Sequence, residues 1–204
     1  MTSVNLTISR TDLLNAQTAL RGVKNGTPRV IMRAINRTLS GVRTDAVSEI
    51  RNQAPLKAKV VRDTMRIHKA SLVDPSGKLE SRGHGVPLIH YSARQTKKGV
   101  TFSIHKGGKR DLLTHAFIAA MRSGHRGVFT RQGLKKHATG KKPTPGVAYA
   151  ALPRRYRLPI REEFGPAVPT IMGMDRVYKK IQGKAGKRLK KNFDHELKYL
   201  LSKL

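Results

Sequence analysis

From Thr27 to Gln53 the chain reads TPRVIMRAINRTLSGVRTDAVSEIRNQ, and this stretch decides the architecture. Ile31, Ile35, Leu39, Val42, Ala46 and Ile50 recur at spacings of four and three, which places them on one stripe of an α-helix. Thr27 and Pro28 read as N-cap and first-turn proline, where the missing N–H is not needed. Pro55 ends the helix, because it restrains the residue before it away from helical geometry. A helix with a single apolar stripe needs a covering layer, so the rest of the chain must supply one.

Working outward, Val4 to Ile8 alternates as a short strand, and Ser9 with Asp12 forms a capping-box pattern for a helix through Leu13, Leu14 and Leu20. A shorter helix is expected over Leu56 to Met65. From Arg66 to Phe164 the period shifts towards two. Leu88 to Arg94 and Val100 to Lys106 are expected strands, joined by the polar turn Gln95 to Gly99. Ala116 to Met121 and Val128 to Arg131 form a second pair around Ser123-Gly124-His125, and Leu158 to Phe164 is a last strand. Gly133 to Gly146 is rich in Lys, Gly and Pro and reads as a loop. Pro169 to Leu204 is helical in period through Ile171, Val177, Ile181, Leu189, Phe193, Leu197 and Leu200. Gly183 and Gly186 are expected to bend or split that helix.

Elements segregated in this way give an α+β fold: N-terminal helices, a mainly antiparallel β-sheet with long basic loops, and a C-terminal helix. Three segments follow. Residues 1-26 hold a strand and short helix. Residues 27-169 hold the core helix and β-sheet domain, with the basic loop 133-146. Residues 170-204 form a basic C-terminal helix.

Charge says most about function. The 204 residues carry 42 Lys plus Arg against 12 Asp plus Glu, a formal net charge of +30. Such a surplus repels itself unless polyanion lies nearby. Between Ala93 and Lys142 stand thirteen Lys or Arg and one acid, Asp111. A short charge run is ordinarily a solvated face, but here no interspersed acids balance it, so contact with phosphate backbone is expected rather than base readout. The candidate contacts are Lys97, Lys98, Lys106, Lys109, Arg110, Arg126, Arg131, Lys135 and Lys136. Lys179, Lys180, Lys184, Lys187, Arg188, Lys190 and Lys191 make the C-terminal helix a second basic element; its apolar residues are expected to pack on the protein's own core or on a neighbouring subunit.

Other chemistry finds little support. Ten aromatic residues, five Tyr and five Phe, are too few for a base-stacking sheet. Cysteine is absent, so thiol chemistry and zinc-finger spacing are excluded. His84, His90, His105, His115, His125 and His137 are scattered without HExxH spacing, and a metal nuclease would want carboxylates beside them. The doublet Glu162-Glu163 projects to opposite faces of a strand and suits a local salt bridge or a contact with a neighbouring basic surface better than acid–base catalysis. Gly107-Gly108-Lys109 lacks P-loop spacing, and no Gly-x-Ser-x-Gly elbow occurs. No signal peptide is expected at Met1 to Arg10, and no apolar run reaches the eighteen residues or so of a membrane span. No catalytic residue, metal or cofactor is expected.

Several local patterns, in this order, resemble the minor tail protein Z family of tailed bacteriophages and prophages, also described as tail completion proteins. They are Ala34-Ile35-Asn36-Arg37 on the stripe helix, Ala116-Phe117-Ile118, and Gly127-Val128-Phe129-Thr130-Arg131. Leu158-Pro159-Ile160 and Gly165-Pro166-Ala167-Val168-Pro169 follow, leading into the basic helix. The resemblance implies a non-enzymatic virion component at the head-proximal end of the tail, in the neck, assembled in the host cytoplasm. It implies a ring of this chain with itself, expected to be a hexamer, that joins the tail terminator or tail tube to the head connector. The phage genomic DNA end is expected in or near that ring, and no membrane is involved. A ring lined with Lys and Arg holds DNA by neutralising phosphates and releasing counterions, without sequence preference. The rival reading is a stand-alone basic nucleic-acid-binding protein of ribosomal or nucleoid type, which composition alone does not separate from the first.

Overall fold

The computed structural model describes residues 1–23, 25–131 and 159–203. In chain order the first elements are β1 (Thr2–Leu6), α1 (Arg10–Ala19), α2 (Gly26–Gln53), α3 (Ala58–Asp63), β2 (Met65–His68) and β3 (Gly77–Ser81). Then come β4 (Gly85–Pro87), a 3₁₀ turn at Leu88–His90, β5 (Arg94–Thr96), β6 (Gly99–Phe102), β7 (Asp111–Thr114), β8 (Phe117–Ala120) and β9 (Arg126–Arg131). The chain closes with β10 (Ile160–Glu162), β11 (Phe164–Ala167), α4 (Val168–Met172) and α5 (Asp175–Leu201). Helices with antiparallel sheets make this an α+β protein, as expected. No helix among the described residues is long and apolar enough to cross a membrane.

Two compact units result: residues 1–53, 57–84 and 167–204 form one, and 54–56 with 85–166 the other. In the first, α2 is covered by α5, which brings the chain's C-terminal helix onto its early one. Val30, Ala34, Ile35, Leu39, Val42, Ala46 and Ile50 of α2 are buried, as are Val177, Ile181, Ala185, Leu189 and Phe193 of α5. Each large aliphatic side chain so buried contributes roughly 1.5–3 kcal/mol relative to exposure. Gly41 has no side chain at the point where the Arg188 side chain crosses α2; a Cβ there would lie 2.6 Å from its Cδ. The three-stranded sheet β1-β3-β2 completes this unit, both pairings antiparallel. Val4, Leu6, Met65 and Leu79 are its buried apolar side chains. Asn36 of α2 clamps the backbone of Ala70, accepting its N–H at 2.8 Å and donating Nδ2–H to its carbonyl at 3.0 Å. Glu80, 1% exposed, lies 2.9 Å from His68 Nε2 and 3.1 Å from Arg82 Nε.

The second unit holds three small sheets: β5-β6-β7, β8-β9-β10 and the pair β4-β11. Tyr91 is its most buried large side chain, and its hydroxyl donates to the Pro166 carbonyl at 2.6 Å. Gly165 lies against that ring, 2.6 Å from where its Cβ would stand to Tyr91 Cε2.

Several boundaries differ from the sequence reading. β1 ends at Leu6, so Ser9 is free to cap α1 with its Oγ accepting the Asp12 N–H at 3.1 Å. α2 begins before Thr27, because Asn25 in the left-handed region (φ 56°) already offers its carbonyl to Arg29 N; Pro28 still falls in the first turn, where no N–H is required. α3 is shorter than Leu56–Met65. Leu88 to Arg94 is not a strand: Tyr91 N bonds the Leu88 carbonyl and Ser92 takes φ 54°, so the two apolar residues sit one 3₁₀ turn apart. β6 stops at Phe102, where Ser103 Oγ turns to the His105 carbonyl. The expected strand up to Phe164 breaks at Glu163, whose N–H bonds Val128 while its carbonyl accepts from Leu88 N, and two sheets share its halves. Leu158, where it was expected to begin, and the loop 133-146 lie outside the described residues. The C-terminal interruption falls at Gly173–Met174, and α5 runs unbroken through Gly183 and Gly186, since its buried face on α2 outweighs the glycine penalty of about 1 kcal/mol each.

Candidate nucleic-acid interface

The basic residues singled out in the sequence occupy distinct places in the second unit. Lys97 and Lys98 form the turn of the β5–β6 hairpin, where Arg94 faces Thr101 and Thr96 faces Gly99. Both are exposed, and the Lys98 carbonyl is held by His115 N at 3.2 Å. Lys106 and Lys109 stand exposed on the connection from β6 to β7, at the opposite end of that sheet. The four residues of β6 separate the two clusters by about 13 Å along the strand. Arg126 opens β9, exposed, beside the β8–β9 turn. Arg122 lies exposed in that same turn, and the sequence reading passed over it although a turn position is an ordinary place for a solvated cation.

Two arginines do more local work. Arg110 is a clamp: its Nη2 donates to the Ser92 carbonyl at 2.6 Å and to the Thr101 carbonyl at 3.0 Å. Both partners are uncharged, so the guanidinium keeps its full positive charge while tying β6 to the chain after the 3₁₀ turn. Arg131 lies 4.7 Å over the Phe117 ring, a cation–π contact across β8 and β9. Lys135 and Lys136 lie outside the described residues.

Of the acids described in this unit, Asp111 is exposed at the start of β7, while Glu162 and Glu163 are engaged locally. Glu162 Oε1 lies 2.8 Å from His125 Nε2, and Glu163 Oε1 accepts the Thr130 hydroxyl at 2.6 Å. Neither neutralises a lysine of the two exposed clusters. Among the described residues no three His, Asp or Glu side chains gather as a metal site.

The other basic element, α5, sorts its cations by face. On the side against α2, Lys184 Nζ donates to Glu49 Oε1 at 2.6 Å, with Lys180 3.9 Å from the other oxygen. Arg188 pairs with Asp45 at 2.8 Å, and Glu196 accepts from Arg33 at 3.0 Å, with Arg37 3.5 Å away. The hydrogen bond from Lys184 holds the Glu49 carboxyl below its ordinary value of 4.5, against the opposing effect of burial. Lys179, Lys187, Lys190, Lys191 and Lys198 are exposed and form no ion pair among the described residues. Two open grooves run beside them. One is lined by Lys187, Lys190, Lys191, Asp194, His195 and Lys198, the other by Glu49, Lys179, Lys180, Gly183, Lys184 and Lys187.

The motif residues of the resemblance have structural employment. Asn36 is the Ala70 clamp and Arg37 faces Glu196. Ala116 is buried, and Pro166 and Pro169 lend their carbonyls to Tyr91 and Thr2. No curated protein and no solved structure matches the chain. Against known families, residues 12–203 match the one described as prophage minor tail protein Z (GPZ), nearly the whole chain. By that match, the chain belongs to the prophage minor tail protein Z family and is a structural component of a phage tail.

Proposed function

We propose that the protein completes the tail and joins it to the head, as a ring of identical subunits at the head-proximal end that holds the DNA end without reading its sequence. The observation that carries this reading is the uneven fate of charge. Acids Asp45, Glu49, Glu80 and Glu196 are committed to cations within the fold, while Lys97, Lys98, Lys106 and Lys109 stand exposed without a carboxylate partner among the described residues. Subunits so charged repel one another, and an assembly of them is stabilised by the phosphates of DNA or by acidic faces of neighbouring tail and connector proteins. The role is non-catalytic: the protein binds and positions.

Complementation of a phage lacking this protein tests the reading. A variant with the exposed loop lysines reversed to glutamate is expected to fold normally yet yield particles that fail to join or that lose DNA. Full infectivity with normal genome retention overturns the DNA-holding role.

A further inference from the structure

α5 carries an exposed feature that its own fold does not explain. Gly183 and Gly186 lie inside a 27-residue helix, both exposed, and a Cβ at either position would meet no atom within 4 Å. Alanine would fit both sites and favour the helix. Neither glycine is needed for a positive φ, for a turn or for packing on α2. What the pair does create is a dip in the side-chain ridge of the outward face. At 100° per residue, Lys179, Gly183, Gly186, Lys187 and Lys190 fall on one side of the helix, opposite the buried Ile181, Ala185 and Leu189. The dip is therefore bounded by lysines at both ends, and Lys191 and Lys198 continue the charge towards the C-terminus. From Lys179 to Lys198 the face extends about 28 Å.

The occupant is chosen by complementarity. Around the gap this face offers lysines and bare backbone, with Asp194 the one acid of α5 on it between Lys179 and Lys198, and it exposes no large apolar side chain there, so it has nothing to insert into a bilayer. A second copy of the same surface is repelled. A row of phosphates fits: the lysines neutralise charge, and the missing side chains let a sugar–phosphate backbone approach the helix closely. We infer that the outward face of α5, centred on the Gly183–Gly186 gap, is a docking surface for the backbone of duplex DNA. This rests on the DNA-holding role proposed above and adds a second contact surface to the loop lysines.

The test is binding of the full-length protein to a short blunt-ended DNA duplex across a salt series. Lys187→Gln/Lys190→Gln/Lys191→Gln is expected to weaken binding at least tenfold and to lower the salt slope by about 2–3. Gly183→Gln/Gly186→Gln, with no charge changed, is expected to raise the thermal midpoint and yet weaken binding roughly three- to tenfold, because glutamine favours the helix and fills the gap. A more stable variant that binds less well cannot be a folding defect. If the wild type binds duplex and both variants bind equally well, the α5 surface is wrong and the DNA role stands. Should only the lysine variant bind less well, the close approach at the glycines is overturned. If the wild type ignores duplex and instead binds anionic vesicles or an acidic protein, both readings fall.

Discussion

Lys184 Nζ donates a 2.6 Å hydrogen bond to Glu49 Oε1 across 135 positions of sequence. The pair belongs to a series, with Arg188 on Asp45 and Arg33 on Glu196, that ties α2 to α5 in antiparallel register. It also divides the basic helix into cations the fold uses and cations it leaves exposed.

The pH dependence of stability follows from these carboxylates. The Lys184 hydrogen bond holds Glu49 below 4.5; for Glu80, burial pushes the other way but is outweighed by the contacts with His68 and Arg82. A carboxyl whose folded pKa is depressed stabilises fully above its unfolded value and loses that contribution as pH falls through the folded one. The contribution of these carboxylates is expected to be level above pH 4.5 and to fall below it. Glu49→Gln should be less stable at neutral pH and show a shallower acid limb, measured by denaturant unfolding at stepped pH. An unchanged limb would remove Glu49 from the stabilising set.

Asn36→Ala should destabilise the first unit by about 1–3 kcal/mol, since it strands both the N–H and the carbonyl of Ala70. Urea unfolding checks the loss. Asn36→Asp keeps the acceptor and should recover part of it.

Burial pushes the Tyr91 phenol up to about 12. A raised folded pKa means stability that is complete below the unfolded value of 10.0 and declines as pH rises from there towards 12. Tyr91→Phe should lose about 1 kcal/mol at neutral pH with its hydrogen bond to Pro166, and should lack this alkaline decline. Tyrosinate absorbance against pH reads the titration directly, and a Tyr91 that ionises together with exposed tyrosines would contradict its buried placement.

Lys97→Glu/Lys98→Glu/Lys106→Glu should leave the unfolding midpoint within the small range of surface changes, about 0.5 kcal/mol each. Affinity for duplex DNA should fall, with a smaller salt slope, as measured by anisotropy titration. Arg110→Lys is a useful contrast. It keeps the charge but gives up the planar clamp on Ser92 and Thr101, so stability should drop before DNA affinity does.

The helical framework was legible in the sequence because α2 and α5 are long and their apolar residues keep one period throughout. The sheets were legible only in part. β3 buries the polar Glu80 and Ser81 beside Leu79 and β7 sets Leu112 next to Leu113, so neither alternates, and Leu88 with Tyr91 fits a strand and a 3₁₀ turn equally well until the Pro166 partner is known. For the candidate site, charge was visible but its local use was not. Nothing near Arg110 in sequence announces that Ser92 and Thr101 hold it. On α5 the division between Lys184 and Lys187 depends on where α2 lies. The gap at Gly183 and Gly186 reads in sequence as a helix break, and only the unbroken α5 shows it as a recess in a continuous surface.

Electron microscopy of tails assembled with and without the protein is the most direct measurement. A ring of added density at the head-proximal end, present only when the protein is supplied, is the expected result. Tails identical in both preparations, with the isolated protein a monomer that prefers folded RNA, would contradict the joining role and favour a stand-alone nucleic-acid-binding protein.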